Sequence, residues 1–181
     1  MQPPSINVRR HEVIEVLVTI VVAVAGCQPE TARKADRAAK DVIEQREDLT
    51  QAAREKPAQL GSASQELSEA ARRFTKRKRI RIAALRGEHS VIATQMKLIG
   101  TMAEYFPLTD QGRADVNNKL TELQMRLDEA GNQIEGLAGV GAEQWHARDD
   151  AVRDAMDTLD AARRAAWRAL QDAPRPHPTA S

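Results

Sequence analysis

Between Val116 and Leu137 the apolar residues fall at steps of four and three. Val116, Leu120, Leu123, Leu127, Ala130, Ile134 and Leu137 hold a 4-3-4-3-4-3 pattern. A strand cannot use that period, because its side chains change face at every residue. The seam is that of a helix packed on other helices, as in a coiled coil. Any fold for this chain has to accommodate it.

The neighbouring segments read the same way. A first helix is expected over about Thr31 to Lys56, with Ala35, Ala39, Val42, Leu49 and Ala53 on its inner face and Pro57 ending it. A second is expected over about Ser64 to Phe106, where Ser62-Ala63-Ser64-Gln65 matches a capping box. Its clearest apolar positions are Leu85, Ile92, Met96, Ile99, Ala103 and Phe106; Gly87 is the expected site of a bend, and Pro107 the stop. Thr109 or Asp110 caps the third helix, which carries the seam. Gly136 to Gly141 breaks it, and a fourth helix follows over about Ala142 to Asp172, with Trp145, Val152, Met156, Leu159, Ala166 and Leu170 inward. Aromatic residues are only 3% of the chain and charged residues 29%. A wide globular core would lack bulky side chains, whereas a slender bundle with a thin Leu/Ile/Ala seam would not. The fold class is therefore all-α: an elongated antiparallel bundle of coiled-coil-like hairpins, with about four helices. Antiparallel folding would bring Phe74 to Trp145 at one end and Trp167 to the Tyr105-Phe106-Pro107 corner at the other. Residues 173–181, Ala-Pro-Arg-Pro-His-Pro-Thr-Ala-Ser, read as a disordered Pro-rich tail.

The N-terminus has a different character. Arg9 and Arg10 precede an apolar run from Val16 to Ala25, which ends at Val24-Ala25-Gly26-Cys27. Ten helical residues reach about 15 Å, half the hydrocarbon core of a bilayer, so the run fits a signal-peptide core rather than a span. Cys27 is the single cysteine of the chain. An aliphatic residue, two small residues and a Cys in this order resemble the lipobox of bacterial lipoproteins. The resemblance implies that residues 1–26 are a cleaved signal peptide. It also implies that the Cys27 thiol carries the lipid and that the mature domain, 27–172, is tethered to membrane by two or three acyl chains such as palmitate. Gln28 stands where an Asp would imply inner-membrane retention, so the resemblance implies the periplasmic face of the outer membrane if the cell is Gram-negative.

The segment from Leu120 to Leu170 loosely resembles small bacterial coiled-coil stress-response proteins, on Trp145, Val152 and Ala155 after a glycine-containing break. That resemblance implies a helical hairpin and no enzyme. Leu120-Thr-Glu-Leu-Gln124 matches the L-T-x-x-Q motif of periplasmic helical chaperones, and Leu108-Thr-Asp-Gln111 nearly does. This match supplies the alternative function, a stress-linked holdase.

The stretch Arg72-Arg-Phe-Thr-Lys-Arg-Lys-Arg-Ile-Arg81 holds seven cations: Arg72, Arg73, Lys76, Arg77, Lys78, Arg79 and Arg81. Two readings stand. One is contact with anionic envelope material such as lipid head groups; export would place nucleic acid out of reach. The other, which is favoured, is neutralisation within the bundle by Asp41, Glu44, Glu47 and Asp48 of the first helix and Glu135, Glu143, Asp149 and Asp150 of the second hairpin. Net charge is only +1, so no global field selects a partner.

Glu143-Gln-Trp-His146 has the i, i+3 spacing of a di-iron ligand pair, but such sites need a second copy and two further Glu residues. No nucleophile elbow, phosphate-binding loop or triad is present, and Gly136 to Gly141 lacks the Lys of a P-loop. The sequence thus points to no enzyme and no cofactor. It points to a scaffold or interaction module of the cell envelope, with an unidentified envelope protein partner and a second copy of the chain as a candidate one.

Overall fold

The computed structural model describes residues 28–176, and within them every regular element is helical. The signal peptide and Cys27 expected from the sequence lie outside the described residues, as do 177–181 of the tail. Helix α1 is Gln28–Glu55, α2 Leu60–Tyr105, α3 Asp110–Gly136 and α4 Ala142–Asp172. Short 3₁₀ turns, Pro57–Gln59 and Leu137–Gly139, join α1 to α2 and α3 to α4. The helices alternate in direction and form an all-α helical bundle, as the heptad pattern requires.

Helix α2 is the spine. Its 46 residues reach about 69 Å and run through Gly87 and Gly100 without interruption, so the expected bend at Gly87 does not divide it. Leu85, Ile92 and Ile99 are buried on either side of the glycines and hold the helix to its neighbours. It begins at Leu60, four residues before the expected Ser64. The 3₁₀ turn at Pro57–Gln59 feeds straight into it, so the Ser62 to Gln65 capping box is not formed; the Ser62 hydroxyl donates to the Gln59 carbonyl at 2.9 Å instead. It ends where Phe106 turns extended (φ −81°, ψ 141°), the conformation that Pro107 imposes on the residue before it.

All seven seam positions, six in α3 and Leu137 at the start of the following 3₁₀ turn, face the bundle: six are buried, and Leu120 packs partly exposed against the core. The six inward residues expected in α4 are buried as well. The Thr109 hydroxyl accepts from the Gly112 N–H at 3.1 Å and caps α3. Helix α1 packs through alanines: Ala32, Ala35, Ala38, Ala39 and Ala52 are buried, while Ala53, expected inside, is exposed. Ala52 and Ala53 are chemically alike, so nothing in composition separates them.

The two hairpins overlap only in part. Helix α1 packs on α2 and α4, and α3 packs on α2 and α4. The turn between α3 and α4 sits beside Lys78, whose ammonium donates to the Ala138 and Val140 carbonyls at 3.0 Å each. Residues 60–73 of α2 continue past that turn by about 20 Å with only α1 beside them. Phe74 and Trp145 meet edge-to-face at this level, with centroids 5.6 Å apart and planes at 82°. The indole N–H of fully buried Trp145 has no hydrogen-bond partner among the described residues.

The opposite end is built differently from expectation. Tyr105 is 82% exposed, so the corner is not a cluster of three aromatics. What closes it is the chain after α4. Ala173 is buried, the Thr109 N–H donates to the Pro174 carbonyl at 2.9 Å, and the Arg175 guanidinium lies 5.9 Å over Phe106. The first residues of the Pro-rich tail are thus docked on the start of α3.

Candidate functional site

The basic run occupies α2 from Arg72 to Arg81, and the helix divides it by face. Phe74, Lys78, Arg81 and Leu85 fall at steps of four, three and four, which is the core-facing stripe. Lys78 and Arg81 are therefore turned inward. Lys78 is satisfied by the two carbonyls of the α3–α4 turn and lies 5.6 Å from the Phe74 ring centroid. Arg81 is buried, with its side chain 1% exposed, and its Nε donates to Oδ1 of Asp149 at 2.9 Å. Asp149 is 4% exposed and also receives Nη2 of Arg153 at 3.3 Å.

Asp149 stands on the matching stripe of α4, four residues after Trp145 and three before Val152. Two charged residues at seam positions of facing helices form a pair in the centre of the bundle. Neutralisation by Asp149 was expected. Burial of Arg81 was not, although its place on the Phe74-to-Leu85 stripe is legible. Removing one partner of such a pair strands a charge, at a cost of about 3–5 kcal/mol.

Glu88 lies two turns beyond Arg81 on α2 and is half-buried. Burial is the largest influence on its carboxyl; Arg81 opposes and Asp160 reinforces it, and the balance pushes its pKa up to about 7. On the surface, Arg86 makes a two-point contact with Glu135 at 3.0 and 2.7 Å, and Arg46 pairs with Glu143. These exposed pairs contribute at most about 1 kcal/mol each. The His146 imidazole contacts Asp36 at 3.0 Å and Asp150 at 3.4 Å, while Glu143 is turned to Arg46. Among the described residues, no group of three or more His, Cys, Asp or Glu side chains converges as a metal site would need.

The other cations of the run point outward. Arg72, Arg73, Lys76, Arg77 and Arg79 are exposed. Arg73 has a single loose contact with Glu69 at 4.0 Å. The favoured expectation, neutralisation by acids of the first helix and the second hairpin, is met at Arg81 through Asp149; Lys78 is held by carbonyls instead, Arg73 touches only Glu69 of its own helix, and the other four form no ion pair among the described residues. The four acids expected from α1 are not their partners: Asp41, Glu44, Glu47 and Asp48 form no ion pair with the run. A helix can turn only one stripe toward its neighbours, so a run of ten residues cannot be neutralised on all sides.

The L-T-x-x-Q stretch is absorbed by the bundle. Leu123 is buried, Leu120 packs on the core, and the Gln124 amide donates to Asp128 at 2.8 Å. No described helix is long and apolar enough to cross a membrane. Comparison with protein-family models, with curated proteins and with solved structures finds no match.

Proposed function

We propose that this chain is a bacterial lipoprotein, acylated at Cys27, that holds a helical rod against a membrane of the cell envelope as a scaffold or interaction module. The observation that carries the reading is the location of Gln28. That residue is bonded to Cys27 and opens α1, whose face of buried alanines is packed on α2 and α4. Helix α1 extends about 42 Å back from its turn with α2. Its first residue therefore lies beside the middle of the 69 Å spine. An acyl group on Cys27 would tether the rod directly at its flank. Stable anchoring takes two or more acyl chains, which is what a lipoprotein carries. In a Gram-negative cell the rod would face the periplasm from the outer membrane.

The seam of α3, which suggested pairing with a second copy, is covered within one chain by α2 and α4. The proposal therefore leaves the partner to the outer surface of the rod. Metabolic labelling with a radioactive or clickable palmitate tests the reading. The native chain is expected to label and to begin at residue 27, and Cys27→Ala to do neither. Labelling of Cys27→Ala, or a native chain retaining residues 1–26, would overturn it.

A further inference from the structure

We infer that the outward stripe of α2, Arg72, Lys76 and Arg79 with Ile80, is a second membrane contact that lays the rod along an anionic lipid surface. Arg72, Lys76 and Arg79 follow at steps of four and three and so share one face. They make no ion pair with any described residue. Several surface cations elsewhere meet an acid one turn away, Lys119 with Glu122, Arg126 with Glu129, Arg153 with Asp150 and Arg164 with Asp160, while others such as Lys97 and Arg148 do not. Between Arg72 and Arg81 no acid is present at all. Neighbouring like charges on one helical face repel, and an external anion relieves that repulsion. The nearest acids on α2 are Glu66 and Glu69, of which Glu69 already faces Arg73.

The apolar component selects lipid over nucleic acid. Ile80, 41% exposed, lies one turn after Lys76 and beside Arg79, and the exposed Ala83 lies one turn beyond it. Aliphatic groups set among long basic side chains suit the boundary between head groups and acyl chains, where Lys and Arg extend their charges outward. The face offers no aromatic platform on which bases could stack.

The inference rests on the lipoprotein reading only for which membrane is met.

The experiment uses the full chain carrying Cys27→Ala, which cannot be acylated there, and co-flotation with vesicles of phosphatidylcholine with or without one-third phosphatidylglycerol. Each cation near an anionic surface is worth roughly fivefold in partitioning, so Arg72→Gln/Lys76→Gln/Arg79→Gln is expected to bind anionic vesicles roughly a hundredfold more weakly. The control Lys97→Gln/Lys119→Gln/Arg126→Gln, with the same change in net charge, is expected to bind as its parent does. Arg72→Lys/Arg79→Lys retains binding, which separates charge from fold. Equal losses in both triple variants, no loss in the first, or tighter binding of the parent to a DNA duplex than to anionic vesicles would overturn the inference. Failure of palmitate labelling alone would leave the stripe standing and remove only the tether.

Discussion

Consider Arg81→Met, which removes one half of the buried pair at the centre of the bundle. The Arg81 and Asp149 side chains are 1% and 4% exposed and 2.9 Å apart, so neither charge can turn to water when the other is lost. Arg153 touches Asp149 only at 3.3 Å and from a half-exposed position, so it screens the stranded carboxylate poorly. The expected loss is about 3–5 kcal/mol, and the same range applies to Asp149→Leu. At about 2–4 °C per kcal/mol for a chain of this size, the melting midpoint falls by about 6–20 °C. Arg81→Met/Asp149→Leu replaces both charges by apolar groups of similar bulk and is expected to recover most of that loss. Urea titration followed by far-ultraviolet circular dichroism gives all three values. Single variants costing under about 1 kcal/mol, or a double variant equal to their sum, would refute the claim that the two charges act as one buried unit.

Other expectations follow from the same geometry. Glu88, raised to about 7, keeps its proton in the folded state at pH values where the unfolded chain has lost it. Stability therefore declines as pH rises from about 4.5 to 7 and stays lowered above. For a half-buried group the loss is about 1 kcal/mol after solvent screening, and Glu88→Gln should abolish it in urea titrations at pH 5 and 8. Gly87→Ala meets no atom within 4 Å and should stabilise α2 by about 0.5–1 kcal/mol, raising the urea midpoint. Gly112→Ala would bring a methyl group to 3.1 Å from Pro174 Cδ and 3.2 Å from its carbonyl oxygen. It should release the docked residues 173–175, read as faster amide exchange at Thr109, whose N–H is bonded to Pro174.

The seam of α3, the inner face of α4, the Thr109 cap and the Phe74–Trp145 contact were all legible in the sequence, because bulky apolar residues at helical spacing admit one orientation. The alanine face of α1 was legible only roughly: Ala52 and Ala53 differ by 100° of rotation and by nothing else. The start of α2 was misread because a good capping motif lost to a turn that continues directly into helix. The docking of Ala173 and Pro174 has no periodic signal, since a backbone carbonyl makes the contact. For the basic run, counting charges favoured one fate for all seven cations. Phasing them against Phe74 and Leu85 separates Lys78 and Arg81 from the rest, and that division leaves an outward stripe of cations.

The stretch of α1 and α2 beyond the Gly136-to-Gly141 turn is a cantilever. Two helices there face each other across small side chains, Ala52, Ala63 and Ala70, and α4 reaches them only through the surface pair of Arg46 with Glu143. With fewer packed neighbours, its free end is expected to exchange amide protons faster than the braced half. A protein gripping it would lose conformational entropy in stiffening the overhang, a cost absent on the braced half.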